Sequence, residues 1–232
     1  MLQPRLFDAP QLDEAPRTVL DHDGVVTYDP YFIDPWTADE LFTVLRTETP
    51  WKQETLQMYG REIPFPRLTA WYGDPGATYT YSGIKNEPLP WNPILKILRD
   101  RLESELRAKF NSVLLNFYRS GRDSLSWHAD DEPELGSEPV IASVSLGAAR
   151  RFLLRHRGTA ETIEVPLEHG SLLVMSGPTQ MHWKHQVPKD GKVDSGRINL
   201  TFRLINANRY DPAPVRSGRS KGARKARSSN GP

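Results

Sequence analysis

The chain has 232 residues, 38% of them hydrophobic, which suits one ordinary domain with extensions. It contains no Cys, so disulfides and thiolate metal sites are excluded and any metal must be held by His, Asp or Glu. The net charge is +1, no apolar run approaches the ~20 residues that span a bilayer, and "MLQPRLFDAP" lacks the apolar core of a signal peptide, so a soluble, cytoplasmic protein with no membrane partner is expected.

In chain order, residues 1–25 are mixed and Pro-containing and read as a loosely ordered lead-in. "WTADELFTVLRTE" predicts a helix, with Thr37 and Glu40 as a capping box and Leu41, Phe42 and Leu45 as its apolar stripe. After strand-like "YTYSGI", the run "WNPILKILRDRLESELRAKF" predicts a second helix. Asn92 is its cap and Pro93 its first residue, and Leu95, Leu98, Leu102 and Leu106 form one face. Beyond Phe110 the period changes to that of strands: "SVLLNFYR", "VIASVSLG", "RRFLLRHR", "TIEVPL", "GSLLVMSG" and "RINLTFRLI". So many short strands suggest a barrel or jelly roll, an α+β fold with helices packed on an antiparallel core. The main domain is placed at 26–208. From Arg216 the tail "RSGRSKGARKARSSNGP" holds six Lys/Arg and no acid, leaving 24 basic against 29 acidic residues elsewhere. Residues 209–232 are therefore read as a basic disordered tail suited to nucleic acid phosphates.

The stretch "DSLSWHADDEPELG" concentrates a Trp, a His and five carboxylates in Asp123–Gly136. In extended chain, residues i and i+2 share a face, so His128 and Asp130 can point together. A second imidazole would complete the two-His, one-carboxylate triad that holds Fe(II) with open positions. His182 and His185, in "MHWKHQVPK", are the candidates that follow a strand. In "RINLTFRLI", Arg197, Asn199, Thr201 and Arg203 share one face, and Ile198, Leu200 and Phe202 the other. Two inward guanidiniums demand anions, and their forked donors match a dicarboxylate. The outward alternative is an exposed strand face. "LLNFYRSG" puts Asn116 and Tyr118 together in the same way.

These motifs in this order resemble the AlkB family of Fe(II)- and 2-oxoglutarate-dependent dioxygenases. The matching stretches are "NFYRSGRDSLSWHADDEPELG", "IASVSLGAARRFLLRH", "PLEHGSLLVMSGPTQMHWKHQVPK" and "RINLTFR". "PRLTAWYGDPGATYTYSG" resembles the substrate lid of the DNA-repair branch, which places a lid at about 50–85. The resemblance implies a double-stranded β-helix, with His128, Asp130 and His185 as iron ligands and His182 as a neighbour. It implies that Arg197 and Arg203, helped by Asn116, Tyr118 and Thr201, bind 2-oxoglutarate, although the sequence leaves open which arginine takes which end.

The implied reaction uses O2, releases succinate and CO2 from 2-oxoglutarate, and hydroxylates an N-methyl group that leaves as formaldehyde. Its implied substrates are 1-methyladenine and 3-methylcytosine in single- or double-stranded DNA, handled by a monomer. By the same resemblance, Asp131 faces the amino group of the damaged base, Tyr81 stacks on it, and Tyr79 contacts pocket or backbone. Tyr59 is placed as a finger that fills the vacated stack, with ordinary packing as its alternative. Arg61 and Arg67 are placed on phosphates. Glu132, Glu134 and Glu138 read as solvating acids. The alternatives are the same chemistry on RNA or tRNA, or a nucleic-acid-binding module without activity.

Overall fold

The computed structural model describes residues 15–58, 61–77, 79–81 and 84–206, and for residues 56–58, 61, 79–81 and 84–86 it describes the backbone alone. Strands β1 (Arg17–Leu20) and β2 (Val25–Asp29) precede helix α1 (Pro35–Glu48). The next region runs through β3 (Thr55–Met58), β4 (Arg61–Pro64), β5 (Leu68–Gly73), β6 (Tyr79–Tyr81) and β7 (Ile84–Asn86) to helix α2 (Pro93–Leu106). The remainder is β8 (Ser112–Tyr118), β9 (Leu125–His128), β10 (Ile141–Gly147), β11 (Arg150–His156), β12 (Thr162–Leu167), β13 (Leu172–Ser176), the single turn α3 (Thr179–His182), β14 (Trp183–Val187) and β15 (Arg197–Arg203).

The strands form a seven-stranded sheet in the order β1-β2-β13-β10-β15-β8-β5 and a four-stranded sheet in the order β12-β11-β14-β9. Their antiparallel pairing gives the jelly roll that the strand count implied. Hairpins β3–β4 and β6–β7 stand apart as two-stranded units. Among the described residues no helix is long and apolar enough to cross a membrane.

Side-chain alternation builds two cores. Val113 and Leu115 of β8, Val144 and Leu146 of β10 and Ile198, Leu200 and Phe202 of β15 face helices α1 and α2. The other core joins the sheets through Tyr118, Ile141, Phe152, Leu154, Leu173, Met175 and Trp183. Each fully buried aliphatic side chain contributes roughly 1.5–3 kcal/mol. All seven residues of β15 are buried, so its polar face points between the sheets and not to solvent.

Two local expectations change. Helix α1 is capped by Asp34, whose carboxylate accepts the Thr37 N–H at 3.0 Å, with Pro35 in the first turn. Thr37 is buried inside the helix. Aspartate one residue before proline is the stronger start signal, because it caps while proline supplies the fixed φ. Residues 17–20, assigned to a loose lead-in, form β1 on the edge of the large sheet, with Leu20 buried. Helix α2 starts as expected, Asn92 accepting the Leu95 N–H at 2.8 Å.

Two loops close one end of the sandwich. Gly121 donates its N–H to Val193 O at 2.7 Å and accepts from Asp190 N at 2.8 Å, joining the β8–β9 loop to the β14–β15 loop. A Cβ at residue 121 would land on the Asp190 carbonyl oxygen. Asp123 locks the first loop by accepting from Arg119 N, Nε and Nη2 at 2.8–3.0 Å. Burial raises the Asp123 carboxyl, but the Arg119 bonds outweigh it and hold the group below the usual carboxylate range.

Gly121→Ala is expected to cost about 1–3 kcal/mol through overpacking, read by urea denaturation. Asp123→Asn is expected to cost about 1–3 kcal/mol at pH 7. Because the folded pKa is depressed, that stabilisation is present above the ordinary carboxylate pKa and lost as pH falls through the folded value. The gap between wild type and variant should therefore close in acid.

Candidate metal and dicarboxylate site

Strands β9 and β14 bring the first cluster together. His185 lies opposite His128, and Val187 opposite Leu125, so β9 carries one extra residue between the two pairings. Such a bulge shifts the alternation by one. Leu125 and His128 both line the cavity as a result, where a regular strand would turn them to opposite faces. Asp130 follows two residues later on the same side, nearly fully buried. The ligand atoms of His128, Asp130 and His185 all lie within 4.8 Å of one another.

Hydrogen bonds fix which atoms face the centre. His128 Nδ1 is 2.8 Å from Ser126 O. A carbonyl only accepts, so Nδ1 carries the proton and Nε2 keeps its lone pair. His185 Nε2 lies 3.9 Å from Asp130 Oδ2. Burial, then His128, push the His185 imidazole down to about 3, against the opposing pull of Asp130, so it is neutral at physiological pH. A neutral ring is what a metal requires. Burial would raise Asp130, yet its cationic neighbours, Arg203 foremost, bring it down to about 2. With His185 uncharged at neutral pH, Arg203 is the lasting partner, donating from Nη2 to Asp130 Oδ1 at 2.6 Å. That bond leaves Oδ2 toward the histidines. Gln180 Oε1 accepts the Asp130 N–H at 2.9 Å and pins the backbone. The sequence reading had not selected Gln180.

Asp23, His156 and His182 form a second group with ligand atoms within 4.8 Å. Here the tautomer argues against a metal. His156 Nδ1 accepts from Gly158 N at 3.2 Å and Thr159 N at 3.0 Å, which places the proton on Nε2, the atom 3.2 Å from Asp23 Oδ2. The lone pair a metal would need is already used. His182 stacks on His156 with ring centroids 6.1 Å apart.

The first cluster opens into a cavity of about 310 Å³ that Asn116, Tyr118, Arg197, Asn199, Thr201 and Arg203 also line. Arg197 is 1% exposed. Its Nη2 donates to Ser145 Oγ at 2.9 Å, while Nε and Nη1 are buried with no hydrogen-bond partner. Burial lowers the Arg197 guanidinium to about 10, so it remains a cation at neutral pH. Two unsatisfied donors on a buried cation describe an anion site. Thr201 Oγ1 donates to Asn199 Oδ1 at 2.9 Å, and Asn199 Nδ2 donates to Ser143 Oγ at 2.7 Å. Asn199 belongs to the alternating polar set of β15 and could have been read from it. Ser145 carried no sequence signal.

Several expected contacts fall elsewhere. Asp131 is 55% exposed in its side chain and paired with Arg157 Nη2 at 2.8 Å, and it is not among the cavity-lining residues. The segment after β9 is irregular, with His128, Ala129 and Asp130 all on the cavity wall. The Arg157 ion pair holds Asp131 at the surface, while Glu132, which had been read as a solvating acid, lines the cavity. Glu134 is also buried. Arg67 is not held out for phosphate. Its Nε donates to Asn116 Oδ1 at 2.7 Å in the cavity wall, which leaves Nδ2 as the remaining donor of Asn116. Tyr79 and Tyr81 lie in β6 with only their backbone described. Tyr59 and the tail lie outside the described residues, as does the Arg61 side chain.

Comparison with known proteins gives matches over most of the chain. Residues 25–203 match the 2OG-Fe(II) oxygenase superfamily. The chain is 43% identical over 213 residues to the alpha-ketoglutarate-dependent dioxygenase alkB homolog 3 of Mus musculus, covering 88% of this chain and 73% of that protein. It is 42% identical over 179 residues to the DNA oxidative demethylase ALKBH2 of Homo sapiens, covering 72% and 69%. A solved structure of OsALKBH1 superposes with a TM-score of 0.55 at 21% identity, covering 77% of this chain and 97% of that one, a likeness in fold.

Cobalt(II) titrated into the metal-free protein is expected to bind with one equivalent, followed by its visible absorption. His185→Ala should abolish that binding, and Asp23→Ala should leave it unchanged.

Proposed function

This chain belongs to the 2OG-Fe(II) oxygenase superfamily, and from that membership we propose that it is an oxidative demethylase acting on N-methylated bases of DNA. Fe(II), 2-oxoglutarate and O2 are the cofactor and co-substrates of the superfamily. The observation that carries the site assignment is one cavity joining the His128–Asp130–His185 cluster to the unsatisfied buried donors of Arg197. The donor set fits the metal: the His128 imidazole with its lone pair at Nε2, the neutral His185 imidazole and one ionised carboxylate. With its co-substrates, bound iron would supply the oxidising chemistry that hydroxylates an N-methyl group, lost as formaldehyde, with succinate and CO2 as co-products.

The protein's own residues do the positioning. Arg203 neutralises Asp130 and so belongs at the metal end. Arg197, six residues along the same strand and about 20 Å away in Cα position, takes the far carboxylate with Tyr118. Asn116 is held by Arg67 to offer an amide donor along the same wall. Glu132 lines the cavity beyond the ligands, as do Glu54 and Glu87. Of the three it is the nearest in sequence to Asp130, and its charge favours a cationic base such as 1-methyladenine or 3-methylcytosine over the neutral parent. The printed name of the human relative, a DNA oxidative demethylase, supports DNA as the nucleic acid. A base must leave the stack to reach the cavity, a task assigned here to the β3–β7 region with Tyr79, Tyr81 and Tyr59.

The test incubates single- and double-stranded oligonucleotides carrying 1-methyladenine or 3-methylcytosine with protein, Fe(II), 2-oxoglutarate and ascorbate, and follows mass. Loss of one methyl, absent for Asp130→Ala, is expected. Turnover of 2-oxoglutarate with DNA left methylated would move the substrate to RNA, the next oligonucleotide to try. Glu132→Gln should lower kcat/KM on the cationic base about tenfold, whereas Asp131→Asn should change it little.

A further inference from the structure

Arg150, at the start of β11, is 2% exposed and outside the cavity wall. It has no carboxylate within salt-bridge distance among the described residues. Its Nη2 donates to Asp123 O at 2.9 Å and Pro188 O at 2.6 Å, and its Nη1 to Ser120 O at 3.3 Å. These carbonyls belong to the β8–β9 loop and the β14–β15 loop, which Gly121 already ties together. The guanidinium also lies over the ring of Tyr118 at 5.6 Å, and Arg197 lies over that ring at 5.2 Å. Tyr118 is 1% exposed and lines the cavity.

Two buried cations thus share one aromatic ring, and among the described residues neither forms a direct ion pair; Asp190 and Asp123 act on Arg150 only from beyond contact. Burial lowers the Arg150 guanidinium against the pull of Tyr118, Asp190 and Asp123, so keeping the cation here carries a desolvation cost that its fixed partners offset. A methionine in place of Arg150 would fill the volume but leave three loop carbonyls without its donors. Three carbonyl acceptors and one ring face fix the guanidinium in place, and through it the ring fixes Arg197.

We propose that Arg150 is a positioning residue for the co-substrate: it anchors Tyr118 and the loop corner so that Tyr118 and Arg197 meet the far carboxylate of 2-oxoglutarate. This rests on the assignment of the cavity to that dicarboxylate. Arg150 touches neither the keto acid nor the metal. It governs how strongly the site prefers a dicarboxylate over a keto acid of equal length that lacks the second carboxylate, such as 2-oxopentanoate.

The experiment is calorimetric titration of anaerobic, Fe(II)-loaded protein with 2-oxoglutarate and with 2-oxopentanoate, for wild type, Arg150→Met and Arg150→Lys. In Arg150→Met, affinity for 2-oxoglutarate should fall about tenfold, with 2-oxopentanoate and Fe(II) binding unchanged. Arg150→Lys, which keeps a cation under the ring but loses the fork, should recover part of the loss. A parallel fall for both keto acids, a loss of Fe(II), or an unaltered preference would each overturn the proposal. If Arg150→Met does not fold, Arg150→Lys against wild type decides: a selective loss of 2-oxoglutarate supports the role, and an unchanged preference ends it. A wild-type protein with no preference for the dicarboxylate would overturn the assignment of the cavity itself, and this proposal with it.

Discussion

Strand β15 buries both of its faces, and one of them is polar. Ile198, Leu200 and Phe202 satisfy the helix side with apolar packing alone. Arg197, Asn199, Thr201 and Arg203 must instead be satisfied between the sheets, where an unpaired polar group is expensive. Much of the interior follows from that demand. Asp130 answers Arg203, Ser143 and Ser145 answer Asn199 and Arg197, and Thr201 bonds within the strand. What the protein leaves unanswered is the inner edge of Arg197, and that remaining demand is the shape of a ligand.

The metal cluster depends on a smaller irregularity. Without the extra residue in β9, a ladder continued from the Leu125–Val187 pair would set Trp127 opposite His185 and turn His128 away. Ser126, within the same irregular stretch, accepts from His128 Nδ1 and fixes its tautomer. The same logic separates the two histidine clusters. At His128 a carbonyl meets Nδ1, whereas at His156 backbone N–H groups meet it. Identical residue types are thereby given opposite capacities for metal.

Period-two alternation made the site legible where strands are regular. The polar faces of β15 and of Asn116–Tyr118, and the pairing of His128 with Asp130, could be read from spacing. The limits lie where the strand ends. Past His128 the chain is irregular, so period two says nothing about Asp131 and Glu132, and the Arg157 partner that draws Asp131 to the surface lies 26 residues away. Arg67 and Gln180 were not legible, because their partners Asn116 and Asp130 lie 49 and 50 residues away and no local pattern reports such a meeting. Ser145 is a small polar residue among apolar neighbours, indistinguishable in sequence from any strand serine. In the fold, both helices were evident from their apolar stripes. β1 was not, since four residues with a single buried member carry almost no periodic signal.

The strand on which the site depends is the last to be synthesised among the eleven of the two sheets, yet it occupies a central position, between β10 and β8. Without it the larger sheet would be two halves, each with an unpaired edge of backbone donors and acceptors. Such edges invite association with other chains, and pairing across so long a separation in sequence is slow. The nascent protein therefore passes through a stage in which His128, Asp130 and most of the metal cluster's surroundings have been made, but the cation that holds Asp130 ionised has not. β15 supplies at once the join between the halves of the sheet, the cation beside Asp130 and the unsatisfied donors of Arg197, so neither half of the sheet can present the cavity's charged wall without it.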